Sequence, residues 1–255
     1  MAQARIEIRR IGFGDVLAAL QEGWRDFTRA PSLGIFFGAV YAAGGWFIYL
    51  MLAQWHMPWM ILPVTVGFPL IGPFIAVGLY EVSRRLQRGQ AVDWPGVLTV
   101  IFAQREREVG WMAFVVLFIF WIWIYQARLL LALFLGFHSF PDMAAFVTVV
   151  TGTADGWGFL ITGTLVGAAL AFVLFCSTVV AIPLLLDRDF DFVTALITSF
   201  QSVLHNLPAM IGWGLVVSAL TALALLPAFL GLIIVLPVLG HATWHLYQKL
   251  VRLPR

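Results

Sequence analysis

The sequence predicts an all-α protein built into a membrane as a polytopic helical bundle, and two observations carry this prediction. Hydrophobic residues make up 62% of the 255 residues and charged residues only 11%, about half the charge of an ordinary soluble domain. No soluble domain of this size could bury so much apolar surface, so much of it must face lipid. The apolar runs also lack the alternation of a membrane β-barrel, which leaves helices as the structure that satisfies its own backbone in lipid.

Six apolar runs match the ~20 residues that a helix needs to cross ~30 Å of hydrocarbon. The predicted spans are residues 33–54, 59–80, 110–135, 157–186, 209–226 and 228–247. Only Pro227 separates the last two, so they form either a tight hairpin or a pair that does not fully cross. We therefore expect a single membrane domain, 1–255, in which residues 1–32 form a cytoplasmic segment before the first span.

Lysine and arginine predict the orientation, because cytoplasmic loops carry an excess of these residues. With six crossings, one side of the membrane receives fourteen of them, namely Arg5, Arg9, Arg10, Arg25, Arg29, Arg84, Arg85, Arg88, Arg105, Arg107, Arg188, Lys249, Arg252 and Arg255. The opposite connections, at 55–58, 136–156 and around Pro227, contain none. Both termini are therefore expected in the cytoplasm, and Arg128 is the one basic residue within an apolar run.

Three segments on the cytoplasmic side share a pattern that indicates a repeated unit. Each starts with an aspartate and has an aromatic residue nine positions later; the pairs are Asp15 with Trp24, Asp93 with Phe102, and Asp191 with Phe200. Aspartate is a favourable N-cap, since its carboxylate accepts the free amide hydrogens of a first helical turn. We interpret each segment as a short amphipathic helix at the cytoplasmic interface, followed by a pair of spans. Three such copies in one orientation form a parallel threefold repeat.

Several short stretches carry a resemblance to a known family. They are Gly14–Phe27 (GDVLAALQEGWRDF), Pro31–Gly34 (PSLG), Gly67–Pro73 (GFPLIGP) and Gly78–Arg85 (GLYEVSRR). These residues resemble an uncharacterised bacterial family of predicted integral membrane proteins, and the resemblance extends over nearly the whole chain. It implies a location in the bacterial inner membrane. The family has no assigned function, so the resemblance implies no activity and no catalytic residues.

Prolines and an arginine within the spans are candidates for a cavity or gate. Pro69 and Pro73 bracket Gly72 in the second span, and a broken helix exposes backbone carbonyls that can line a polar path. A kink that neighbouring helices satisfy is the alternative interpretation. Arg128 is either a functional intramembrane charge or a side chain that snorkels to the outer headgroups.

Glycine pairs at four-residue spacing indicate where helices could pack closely. They occur at Gly34 with Gly38 and at Gly163 with Gly167. Small residues at this spacing allow two helix backbones to approach in a membrane. We interpret both pairs as packing features.

His241 and His245 are the candidates for metal or haem ligands. They are four residues apart on the last span, hence on one helix face, and imidazole binds zinc and haem iron. The sequence offers no third ligand beside them, and His245 is close to the cytoplasmic end of the span, where a histidine needs no ligand. We therefore expect no metal and no cofactor.

The sequence contains none of the common catalytic motifs, such as a glycine-flanked serine, a zinc-protease helix or a phosphate-binding loop. This absence, together with the interfacial helices, favours a non-enzymatic protein that organises membrane lipids or assists another membrane complex. Its expected partners are lipids and such a complex, and nothing indicates nucleic acid. The alternatives are a small-solute transporter or channel that uses the Pro69–Pro73 segment, and a haem- or metal-binding redox protein that uses the two histidines.

Overall fold

The computed structural model is almost entirely helical and describes residues 6–53, 61–105, 108–136 and 143–252. Its helices are α1 (Phe13–Arg29), α2 (Pro31–Ala53), α3 (Ile61–Gln87), α4 (Trp94–Arg105), α5 (Glu108–Leu135), α6 (Met143–Gly152), α7 (Ala154–Thr178), α8 (Ala181–Asp187), α9 (Phe192–His205), α10 (Leu207–Leu225) and α11 (Leu232–Leu250). Two short strands, β1 (Glu7–Ile8) and β2 (Val251–Arg252), pair antiparallel. The predicted all-α membrane bundle is confirmed, with this small sheet as an addition.

The chain divides into two compact units. The first contains residues 1–114 and 176–255, and the second contains residues 115–175. Helices α1 to α4 and α8 to α11 belong to the first unit, and α6 belongs to the second. Helices α5 and α7 each have residues in both units.

Four stretches of the described chain are long and apolar enough to cross a membrane. They are Pro31–Met51, Glu108–Leu135, Ala154–Asp187 and Leu207–Leu225, and each coincides with a predicted span. The second predicted span, 59–80, begins outside the described residues and continues into α3. The sixth lies in α11, whose C-terminal half is too polar to meet the same criterion, since it includes His241 and His245.

The order of the helices repeats three times, as the aspartate pattern predicts. A short helix (α1, α4 or α9) precedes a long apolar one (α2, α5 or α10), and a third helix follows (α3, α7 with α8, or α11). Among the described residues, only the middle copy has an extra helix, α6, which lies in the 136–156 connection. Residues 137–142 of that connection are outside the described chain.

The three repeat aspartates lie at helix starts but make different hydrogen bonds. Asp191 is the N-cap of α9, and its carboxylate accepts the backbone N–H of Thr194 at 2.9 Å, as predicted. Asp15 is not an N-cap, because α1 already begins at Phe13; its carboxylate accepts the N–H of Gly12 at 3.0 Å. Asp93 directly precedes α4 and accepts a hydrogen bond from Arg85 at 3.0 Å. The sequence pattern thus located the starts of all three helices, but the predicted capping hydrogen bond forms only at Asp191 among these aspartates.

Helices α1 and α11 cross at backbone contact. A Cβ atom added to Gly23 of α1 would lie 2.5 Å from the amide nitrogen of Ala242 and 2.7 Å from the carbonyl oxygen of Val238. No side chain fits at such distances, because the neighbouring atoms are backbone atoms that cannot rotate away. Ala19 on the same face of α1 is fully buried. The crossing therefore depends on small residues on α1.

Helix α2 packs against α11 through a second glycine contact. A Cβ atom on Gly38 would lie 2.5 Å from the carbonyl oxygen of Ile233, and one on Gly34 would meet the rings of Phe27 and Pro237. The packing predicted for this pair is confirmed. The other pair, Gly163 and Gly167, makes no comparable approach, since the nearest atoms to the added Cβ positions are side-chain atoms at 4.0 Å. There the prediction of close packing is wrong, because the two glycines border an open groove.

This groove lies in the second unit and has a volume of about 250 Å³. Helices α5 and α7 both contribute to its walls, which include Trp123, Gln126, Leu130, Phe159, Gly163, Thr164 and Gly167. Its walls are mostly apolar, which suits lipid contact.

The two ends of the described chain are joined. Strand β1 pairs with β2, and the backbone N–H of Arg9 donates to the carbonyl of Leu250 at 2.8 Å. The buried side chain of Asn206, between α9 and α10, accepts the N–H of Ile11 at 2.8 Å and donates to the carbonyl of Arg9 at 3.0 Å. The segment before α1 is thus fixed to two places in the third repeat copy, the junction of α9 with α10 and the strand that follows α11.

We predict that Gly23→Ala destabilises the protein by about 1–3 kcal/mol, the usual cost of inserting a methyl group where there is no room. Cys176 is the only cysteine in the sequence and is buried, so a thiol-reactive fluorescent dye added during heating reports unfolding. The control is Gly14→Ala in the same helix, where nothing lies within 4 Å of the added atom. Alanine favours helix by up to ~1 kcal/mol over glycine, so this control should unfold at an equal or higher temperature. Equal midpoints for the two variants would contradict the close crossing.

Candidate functional site

Polar side chains, most of them buried, gather where α1, α3 and α11 meet. We call this group the polar cluster; it consists of Asp26, Ser83, Gln87, His241, Trp244, His245 and Gln248. Ser83 and Gln87 are four residues apart on α3, as His241 and His245 are on α11. Residues at this spacing share a helix face, so two polar stripes face each other across the α3–α11 contact.

The hydrogen bonds of Gln87 favour one tautomer of His245, whose Nδ1 also lies 3.4 Å from the carboxylate of Glu22. The indole N–H of Trp244 can only donate, and it lies 3.1 Å from Oε1 of Gln87, which must therefore be the acceptor. The amide nitrogen of Gln87 then faces Nδ1 of His245 at 3.0 Å and donates to it. Because Nδ1 accepts, the ring proton is on Nε2, where it is donated to the Asp26 carboxylate at 2.7 Å. Gln248 completes the set through two hydrogen bonds of 2.8 Å with Gln87.

Asp26 is the buried acid of the cluster, with only 4% of its surface exposed. Burial by itself raises the pKa of a carboxyl group, but hydrogen bonds from His245 and Ser83 outweigh it and hold the pKa of Asp26 below its usual 3.8. Ser83 also lies 2.8 Å from Nδ1 of His241. The buried carboxylate of Asp26 therefore has hydrogen-bond partners on both α3 and α11.

A second acid, Glu81, is almost fully buried beside the cluster and is neutralised within α3. Its carboxylate oxygens lie 2.6 Å from Arg84 and 2.7 Å from Arg85, at the (i, i+3) and (i, i+4) positions of the helix. Arg85 also pairs with Asp93 at 3.0 Å. These arginines are therefore occupied by internal acids.

Asp187, at the end of α8, connects this region to α11. It accepts the phenolic hydroxyl of Tyr247 at 3.1 Å and pairs with Arg88 of α3 at 3.3 Å. Arg84 donates to the carbonyl of Leu186 at 3.1 Å. Helices α3, α8 and α11 are thereby held together by charge-assisted hydrogen bonds, which are stronger than neutral ones.

The polar cluster joins three helices through hydrogen bonds. Both ring nitrogens of His245 are engaged by protein groups, and within the described residues no three histidine, cysteine or acidic side chains are arranged to hold a metal ion. Nε2 of His241 is buried and has no hydrogen-bond partner in the part of the chain that the structure covers. Ser83 beside it is fully buried, so a substrate could not reach its hydroxyl. The arrangement positions α1 on α3 and α11.

The predicted gate residues lie in different units. Pro69, Gly72 and Pro73 belong to the first unit and Arg128 to the second. Helix α3 continues without interruption through both prolines, and a Cβ atom on Gly72 would lie 3.6 Å from the hydroxyl of Tyr41. Arg128 is exposed and does not line the groove of the second unit. A gate formed by these residues stays a prediction.

The aromatic residues of the three repeat segments differ in exposure. Trp24 and Phe102 are exposed, whereas Phe200 is half-buried. His241 and His245 do share one face of α11, as predicted, but that face is buried against α1 and α3.

Sequence reasoning missed Asp26, Ser83 and Gln87 as members of the site. The available signal was the four-residue spacing of Ser83 and Gln87, which matches that of the histidines in the corresponding helix of another repeat copy. That signal is weak, because many polar pairs at this spacing face water. Asp26 gave no signal, because an acid in a charged amphipathic helix normally points to solvent.

The fold and the cluster define a polytopic α-helical integral membrane protein whose first helix is fastened to its last by buried polar side chains. Residues 61–187 match a family model described as a predicted integral membrane protein (DUF2189). Over these residues the chain is similar to this family of unknown function, which confirms the resemblance seen in the sequence. The match includes Gly67–Pro73 and Gly78–Arg85 and does not extend to Gly14–Phe27. No curated protein and no solved structure matches the chain.

We predict that Asp26→Asn lowers the free energy of unfolding by about 2 kcal/mol at pH 7, the scale of a hydrogen bond to a charged group. The folded-state pKa of Asp26 is lowered, so its contribution is complete above about pH 4 and is lost as the pH falls through that lower value. Thermal unfolding followed by circular dichroism should therefore show a gap between wild type and variant that narrows from pH 5 to pH 3. The control is Asp15→Asn, in the first turn of the same helix. A gap that is independent of pH would show that the carboxylate charge is not what matters.

Proposed function

We propose that this integral membrane protein has a non-enzymatic role in the bacterial inner membrane. In this role it organises the cytoplasmic lipid surface, and supports other membrane complexes there, through the short helices α1, α4 and α9. The observation that carries the proposal is the surface of α1. That helix is fixed to the bundle on one face and leaves large apolar side chains uncovered on another.

The uncovered stripe of α1 consists of Phe13, Leu17 and Trp24, whose exposed fractions are 60%, 59% and 51%. The opposite face contains Gly23 and Asp26, which contact α11. Complete burial of one such side chain contributes about 1.5–3 kcal/mol. A helix with this stripe, next to a charged face, is typical of helices that lie in a membrane interface.

Helices α4 and α9 support the same interpretation. Phe102 of α4 is 65% exposed. On α9 the small polar residues Ser199 and Ser202 are buried, while Ile197 and Leu204 are exposed. The outward side of α9 is therefore its apolar side, as expected for a helix in contact with lipid. Ile197 and Leu204 are both more exposed than Phe200, the aromatic residue of the sequence pattern, which is half-buried.

The pairing of the chain ends supports an even number of crossings. Strand β1 precedes the first span and β2 follows α11. Two paired strands lie on one side of a membrane, so the two ends of the described chain do as well. Six crossings satisfy this condition and collect the basic residues on one side, which by the distribution of positive charge is the cytoplasm.

We predict that a C-terminal green fluorescent protein fusion is fluorescent in cells and that alkaline phosphatase fused after Leu230 is active. Phosphatase needs the oxidising periplasm for its disulfides, and residue 230 lies in the turn between α10 and α11. The matched control is phosphatase fused after Gln90, between α3 and α4, where it should be inactive. An inactive fusion at residue 230 would mean that α10 and α11 do not both cross.

We also predict different environments for two adjacent positions of α1 in reconstituted vesicles. Spin labels are attached to Leu17→Cys or Ala18→Cys in a Cys176→Ala background. A helix turns 100° per residue, so the label at 17 should collide with oxygen in lipid and the label at 18 with a water-soluble nickel complex. Equal access of the nickel complex to both labels would show that α1 stands clear of the membrane, and the proposed function would fail.

A further inference from the structure

We propose that the exposed face of α1 binds the headgroup phosphate of an acidic phospholipid through Arg25 and Arg29. The proposal rests on the proposed function, which places α1 at the membrane surface, and it names the lipid class that the helix recognises. The supporting observation is that the acidic side chains of α1 have partners inside the protein, whereas its two arginines are exposed and have no ion-pair partner among the described residues.

All three acidic residues of α1 are engaged by the protein itself. Asp26 is buried against His245, Glu22 pairs with Lys249 at 3.7 Å, and Asp15 accepts the backbone N–H of Gly12. Asp26 is therefore buried, and Asp15 and Glu22 are partly buried with partners inside the protein.

The two arginines of α1 are placed in the opposite way. Arg25 and Arg29 are exposed, and neither forms an ion pair with any residue in the described part of the chain. They are four residues apart, so their guanidinium groups emerge from one face. Among the charged side chains of α1, only these two arginines are exposed, whereas Asp15 and Glu22 are partly buried and Asp26 is buried.

The arginines of α3 provide a comparison within the same protein. Arg84 and Arg85 pair with Glu81, and Arg88 pairs with Asp187. Those side chains have internal partners and offer little charge to a lipid. The unpaired positive charge next to the predicted first span belongs to α1.

The position of Arg25 and Arg29 matches the depth of lipid phosphates. Helix α2, the first apolar span, begins at Pro31, directly after the corner at Ala30. Arg29 is thus two residues from the start of the span, and Arg25 is one helical turn earlier. Trp24 is on the neighbouring stripe, where an aromatic ring inserts at headgroup level.

The chemistry of the two side chains favours a phosphodiester anion. Guanidinium groups donate parallel hydrogen bonds to phosphate oxygens, and each arginine near an acidic membrane surface strengthens binding about fivefold. A zwitterionic phospholipid also has a phosphate, but its own cation competes for it. We therefore assign this face to acidic phospholipid.

The test is lipid selectivity measured by native mass spectrometry. Full-length protein is reconstituted into nanodiscs of equal parts phosphatidylglycerol and phosphatidylcholine, and retained lipids are counted after gentle release. Wild type should retain phosphatidylglycerol preferentially, and the double variant Arg25→Gln/Arg29→Gln should lose at least fivefold of that preference. Its unfolding temperature should not change, since both side chains are exposed.

The matched control is Arg188→Gln/Arg252→Gln, which removes the same net charge from exposed positions elsewhere. It should keep the wild-type preference. An equal loss in the control would overturn the assignment, because total charge would then explain the selectivity. Equal retention of both lipids by wild type, or an unchanged preference in Arg25→Gln/Arg29→Gln, would overturn it as well.

Failure of this proposal is distinguishable from failure of the proposed function. The spin label at Leu17→Cys reports insertion of α1 in pure phosphatidylcholine, where no acidic lipid is present. If that label is in lipid but the nanodiscs show no selectivity, α1 is an interfacial helix without an acidic-lipid site. If the label is in water, both proposals fail.

Discussion

The contact between α1 and α11 is the constraint on which the rest of the first unit depends. Gly23 allows the two backbones to touch, and at this distance Asp26 reaches His245. A larger residue at position 23 would separate the helices and leave a carboxylate without its donors in a place that water does not reach. A buried carboxylate without hydrogen-bond donors lowers the stability of the fold. The hydrogen bond between Asp26 and His245 therefore depends on the close approach at Gly23.

The polar cluster gives α11 a role that its sequence conceals. A helix with two histidines near a membrane suggests ligand binding, yet here the imidazoles act as hydrogen-bonding connectors between α1 and α3. The indole of Trp244 fixes the amide of Gln87, and that amide fixes the ring of His245. These directional hydrogen bonds join α1, α3 and α11.

Fixing α1 on one face has a consequence for its other face. A free amphipathic helix could rotate or leave the membrane surface, whereas α1 must keep Leu17 and Trp24 pointing outward. The joined chain ends and the Asn206 hydrogen bonds hold the segment before it as well. The protein therefore carries a rigid apolar and basic surface beside its first span, which is the physical basis of both proposals.

The sequence alone determined the all-α membrane architecture, the short helices before each long one and the glycine contact of Gly34 and Gly38, because these follow from local composition and spacing. It did not determine the β1–β2 pairing, the polar cluster or the lack of close packing at Gly163 and Gly167. Each of these depends on which distant parts of the chain come together. The charges of α1 show the difference most clearly. The sequence supplies Asp26 and Arg25 side by side, but only packing against α11 decides that the acid is buried and the base is left exposed.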